Sequence, residues 1–96
     1  MDKLFILAMV EEYFEEEFKI LKNGLINYDW MKKDPVRFIN QTMAGMCSIC
    51  IFVQKLGVDF NSLNFIYEDK YYYKLWEMRK KAINGEEFTI DFLENL

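Results

Sequence analysis

Positions 35–56 carry only two charges, Arg37 and Lys55. So long an apolar stretch has to be covered by something, and this constrains the fold more than any other feature of the chain. Asp34-Pro35 precedes it and Gly57 follows it. Asp34 is a suitable N-cap, Pro35 suits a first helical position, and glycine is a common helix stop. The spacing predicts one helix over 35–56, centred on Ile39, Met46, Cys50 and Val53, and the most buried helix of the fold. Its most apolar part, 42–53, is about a dozen residues. That length fits a buried helix better than a membrane span.

The flanking segments supply partners for it. From Asp2 to Asn23, Leu7, Val10, Phe14, Phe18 and Leu21 recur at helical spacing. Ile6, Tyr13 and Ile20 widen one flank of that stripe, and Asn23-Gly24 reads as its stop. Leu25, Ile26, Trp30 and Met31 are too apolar for a solvated loop and should pack back on the core. Residues 59–63 read as a turn and 64–83 as a third helix, with Phe65, Tyr72, Trp76 and Ile83 on one face and Asn84-Gly85 at its end. In 86–96, Thr89 suits a cap for a last helical turn, whereas Phe88, Ile90 and Phe92 alternate like a strand. The expected fold is all-α, a single domain over 1–96 with three main helices and a short C-terminal element. The alternative is α+β, with a hairpin near 64–76, because FIYEDKYYYKLW is rich in strand-forming residues. Its turn lacks Asn-Gly or Asp-Gly, which favours the helix.

A chain of 11.7 kDa should fold to roughly 6,000 Å² of accessible surface. Nine Phe, six Tyr and two Trp compete for that small interior. Aromatics left outside favour a partner. Net charge is −4, with 16 acids and 12 bases, which argues against direct nucleic-acid binding. Histidine is absent, which removes the commonest general base and metal ligand. The run 4–10 meets Glu11 and Glu12 directly and lacks a small-residue cleavage site, so it does not read as a signal peptide. Two cysteines three apart are no secreted disulfide framework. A reducing cytoplasm and no membrane association are the expectation.

Cys47-Ser48-Ile49-Cys50 is the sharpest motif. Redox pairs sit at helix N-termini and zinc sites need further soft ligands, whereas this pair lies mid-helix with no other Cys and no His. Both thiols therefore read as small core residues, and no metal or cofactor is expected. The acidic run Glu11, Glu12, Glu15, Glu16 and Glu17 reads as a solvated helix face. Phe5 and Met9 lie opposite the main stripe of the first helix and suit a second contact surface. Arg79 falls one turn from Trp76, where a guanidinium can stack on the ring. Tyr71, Tyr72 and Tyr73 point in three directions, so one is expected outside. No phosphate-binding glycine loop and no activated serine is present.

These features point to a non-enzymatic protein–protein interaction module, of the accessory, inhibitor, immunity or antitoxin-like kind, acting by occupying a surface and forming a homodimer. Phe5, Met9, Tyr73, Trp76 and Arg79 are the expected contacts. A helical bundle holding a small ligand in an aromatic-lined pocket is the second expectation. An acidic decoy for a DNA-binding protein is the third.

Overall fold

A computed structural model describes residues 2–96. They form α1 (Lys3–Asn27), α2 (Asp29–Lys32), α3 (Pro35–Gln54), α4 (Phe60–Tyr67), a π-helical turn (Glu68–Tyr72), α5 (Tyr73–Ile83) and α6 (Ile90–Glu94). No strand occurs among the described residues, so the chain is all-α and the hairpin alternative is excluded. Three rods make the bundle: α1, α3 and the continuous α4–π–α5 rod.

Local chemistry sets the ends. Asp2 caps α1 through Leu4 N–H, at 2.9 Å. Asp59 caps α4 through Ser62 N–H, at 2.9 Å, so this helix starts at Phe60 where a turn was expected. Thr89 caps α6, accepting from Phe92 N–H at 3.1 Å, which settles the C-terminal element as helix. Gly57 and Gly85 adopt φ of 98° and 73°, and at both the following N–H groups reach back to the last turn: Val58 to Val53, Gly85 to Ala82 and Glu86 to Lys81. Asp34 occupies the cap position of α3, but its side chain makes no capping hydrogen bond; Pro35 at the first position sets the start.

Gly24 does not stop α1. The helix runs through it to Asn27, and Gly24 is buried beneath α2. A Cβ there would overlap Sδ and Cε of Met31. The glycine is thus read out as close packing between α1 and α2. Leu25 and Met31 enter the core as expected, but Trp30 stays exposed, stacked on Tyr28 at 5.7 Å and edge-on to Phe38 at 5.2 Å.

The core is built from Ile6, Val10, Phe14, Phe18, Leu21 and Leu25 of α1, the Ile39–Met46–Cys50–Val53 stripe of α3, and Leu63, Ile66, Tyr71, Leu75 and Met78 of the third rod, closed by Leu93. Phe14 sits at its centre, edge-on to Tyr67 and Tyr71, both at 5.9 Å. In the third rod the expected face is not the buried one: Phe65, Trp76 and Ile83 are exposed and Tyr72 is half-buried. The inward residues step by three, five, four and three positions. The five-residue step from Ile66 to Tyr71 is the π turn, which an unbroken 3.6-residue count does not anticipate.

A further correction concerns α3. Four of its 20 residues are buried, against seven of 25 in α1. Its eighteen most apolar residues have mean hydropathy 1.4, enough by length and composition to cross a membrane, yet only 22% of that window is buried. This long apolar helix therefore turns much of its surface outward. The bundle is also elongated, 42 × 22 × 19 Å with a radius of gyration of 14.2 Å, against about 12.5 Å for a compact chain of this length.

Candidate functional site

Two surfaces flank α3. On the first, α1 and α3 run antiparallel: Lys3 reaches Gly57, its Cε 3.6 Å from where a Cβ would stand. Glu17 and Ile20 of α1 border a groove with Phe38 and Thr42 of α3. Stepping back along α1 by fours from Glu17 gives Tyr13, Met9 and Phe5 on the same ridge. Stepping along α3 by sevens from Phe38 gives Gly45 and Phe52, with Leu56 one turn further. All six of these residues are exposed.

The size of this apolar face decides its significance. Phe5, Met9, Tyr13, Phe52 and Leu56 are 61%, 56%, 42%, 58% and 41% exposed, so at roughly 200 Å² per side chain they present about 500 Å² of apolar surface. A standard interface takes about 800 Å² from each partner, of which about 65% is apolar in homodimers. The face therefore holds the apolar area of one such interface. On α1 its outer edge carries Glu12 and Glu16, exposed and without a cation within 4.0 Å among the described residues. Of the other acids of that run, Glu11 pairs with Lys70 and Glu15 with Lys19 at 3.2 Å, while Glu17, half-buried at the groove, has no cation within 4.0 Å among the described residues.

The second surface is a groove between α3 and the third rod, about 330 Å³ in volume. Cys47, Cys50, Ile51 and Gln54 form one wall; Phe60, Leu63, Asn64, Tyr67, Glu68 and Tyr72 form the other. Tyr67 closes the floor by donating to the Met43 carbonyl at 3.4 Å. Burial pushes its phenol up to about 12 and the Cys50 thiol up to about 11. Cys47, by contrast, is exposed. Only Cys50 is a core thiol, because the buried stripe of α3 passes through 46, 50 and 53 and leaves 47 at the groove.

The five expected contact residues are divided between surfaces. Phe5 and Met9 belong to the α1–α3 face. Trp76 and Arg79 continue the wall of the second groove: Tyr67 meets Tyr72 edge-on at 5.9 Å, Tyr72 stacks on Trp76 at 6.1 Å, and the Arg79 guanidinium lies 5.2 Å over the Trp76 ring. Arg79 Nε also donates to Asn40 Oδ1 at 2.9 Å, tying α5 to α3. Tyr73 faces outward, with its hydroxyl donating to Glu68 at 3.3 Å; of the three consecutive tyrosines it is the exposed one, and Tyr71 is buried. Sequence reasoning missed Phe52, Leu56, Tyr67 and Glu68. The seven-residue spacing of Phe38, Gly45 and Phe52 was the available signal for the first pair.

Fold and surfaces define a small helical bundle with an uncovered apolar two-helix face on one side of α3 and an aromatic groove on the other. Comparisons with protein-family models, curated proteins and solved structures give no match to this chain.

Proposed function

We propose that this chain is a non-enzymatic interaction module of the reducing cytoplasm, which self-associates through the α1–α3 face. The observation that carries the reading is the outward turn of α3. This long apolar helix is mostly unburied, and its uncovered edge adjoins the uncovered edge of α1.

A second copy of the chain is the occupant. The face is free of charge at its centre, so it can meet itself across a two-fold axis without burying an ion. Glu12 and Glu16 then fall at the rim, where like charges can diverge into water. A polypeptide fits better than an anionic membrane, because that acidic edge repels one. Action on a further target, in the manner of an inhibitor, would follow from the same surface or its neighbour on α5.

The test is an isotope-filtered NOE experiment on a mixture of labelled and unlabelled protein. Intermolecular contacts between the Met9 methyl and the Phe52 ring are expected. Contacts centred on Tyr73 and Trp76 would move the interface to α5. Binding of the monomer to anionic vesicles, with no intermolecular contacts, would replace a protein partner with a membrane.

A further inference from the structure

The groove between α3 and the third rod has a chemistry of its own, independent of the face across α3. Its volume of about 330 Å³ lies in the range of small-molecule sites, which are apolar hollows with a few placed polar groups. Ile51, Leu63 and Phe60 make one end apolar, and Glu68 with Tyr67 and Tyr72 makes the other. Eight residues separate Phe60 from Glu68, a length of about 12 Å along a helix.

Glu68 is the only charged residue in the lining. It is half-buried, and among the described residues no cation lies within 4.0 Å of its carboxylate. Its one polar partner is the Tyr73 hydroxyl. Beside it, Tyr67 and Tyr72 stand at 74° to one another with centroids 5.9 Å apart. Tyr67, Tyr72 and Glu68 thus put aromatic surface and a full negative charge in one corner of the lining. A cation gains from both. The floor cannot compete, because the Tyr67 phenol and the Cys50 thiol stay neutral at physiological pH. An anion would meet the Glu68 charge with no base in the lining to offset it.

The π turn is what builds this corner. It spans Glu68–Tyr72 and brings residues five apart into contact, Tyr67 with Tyr72 and Glu68 with Tyr73. Such turns are rare and recur at functional sites.

We propose that the groove binds a small amphipathic organic cation, with its ammonium head between Tyr67, Tyr72 and the Glu68 carboxylate and its apolar tail along Ile51, Leu63 and Phe60. The test uses three probes of one chain length: hexylammonium, hexanol and hexanoate, titrated into the ¹⁵N-labelled full chain. Hexylammonium should shift the amides of Ile51, Leu63, Asn64 and Glu68, bind about tenfold tighter than hexanol, and leave hexanoate without effect. Glu68→Gln should bring hexylammonium down to the hexanol level, with the remaining spectrum unchanged. The comparison of the three heads on wild type needs no variant, so a misfolded E68Q protein cannot rescue the idea. Equal binding of hexanol and hexylammonium, shifts confined to another surface, or no shift at about 10 mM probe would each overturn it.

Discussion

Tyr67 and Tyr72 are five residues apart in the chain, yet their rings meet edge to face at 5.9 Å. In a regular α-helix such residues point about 140° apart. The contact exists because Glu68–Tyr72 is wound as a π turn. Deleting exposed Asp69 returns the inward residues Leu63, Ile66, Tyr71, Leu75 and Met78 to steps of three, four, four and three. The deletion variant is expected to keep the fold and melt no lower than wild type, while the hexylammonium response disappears. A melting point well below wild type, or a retained response, would contradict the role given to the turn.

Phe14 is fully buried and edge-on to both Tyr67 and Tyr71. Phe14→Ala is expected to cost about 3–5 kcal/mol, a large part of the ~5–15 kcal/mol available to a domain. Phe14→Leu, closer in volume, should cost less than about 2 kcal/mol. Urea denaturation followed by circular dichroism measures both. A near-neutral Phe14→Ala would mean that α1 does not sit on the third rod through this residue.

Much of the fold was legible because three stretches are periodic and two of them end at recognisable stops, Gly57 and Gly85. Thr89, Gly57 and Gly85 act through local hydrogen bonds or a positive φ, and local chemistry is what a sequence displays; Asp59 acts in the same local way but was read as part of a turn. Gly24 was misread because its role is tertiary, namely the room it leaves for Met31. The face of the third rod was misread because a single π turn re-phases every residue after it. Burial of α3 was misread because apolar composition states a need for cover and not what supplies it. For the same reason Phe5 and Met9 could be singled out from α1 alone, whereas the seven-residue spacing that reaches Phe52 gained its meaning, together with Leu56, only from the antiparallel packing of α3 against α1. Tyr73 was read as a contact alongside Trp76 and Arg79, but it lies outside their ladder, bonded to Glu68.

The two thiols should separate cleanly on labelling. Cys50 is buried, with its pKa raised from 9.0 to about 11, so near neutral pH its thiolate fraction falls about a hundredfold. Cys47 is exposed. One thiol per chain should react quickly with a maleimide and the other on the timescale of opening. Two fast thiols would show that α3 is not packed as described, and two slow ones that the groove is covered.

Asp59 provides a pH-dependent test of the α4 start. Hydrogen bonds from the Ser62 backbone and then its hydroxyl hold the Asp59 carboxyl below its ordinary 3.8. A folded pKa below the unfolded one means stabilisation that is present above the unfolded value and lost as pH falls through the folded one. Asp59→Ala should therefore melt below wild type at pH 7, and the gap should close in acid below about pH 3.8. A gap independent of pH would mean that the side chain acts through packing instead of its charge.

Self-association through the α1–α3 face is tested most directly by sedimentation velocity of wild type beside Phe5→Glu/Met9→Lys, at about 10–100 µM. Wild type is predicted to sediment at twice the 11.7 kDa chain mass, and the double variant at the chain mass with an unchanged circular dichroism spectrum. A monomeric wild type over that range would contradict the account. A folded variant that stays dimeric would leave the dimer standing and remove it from this face.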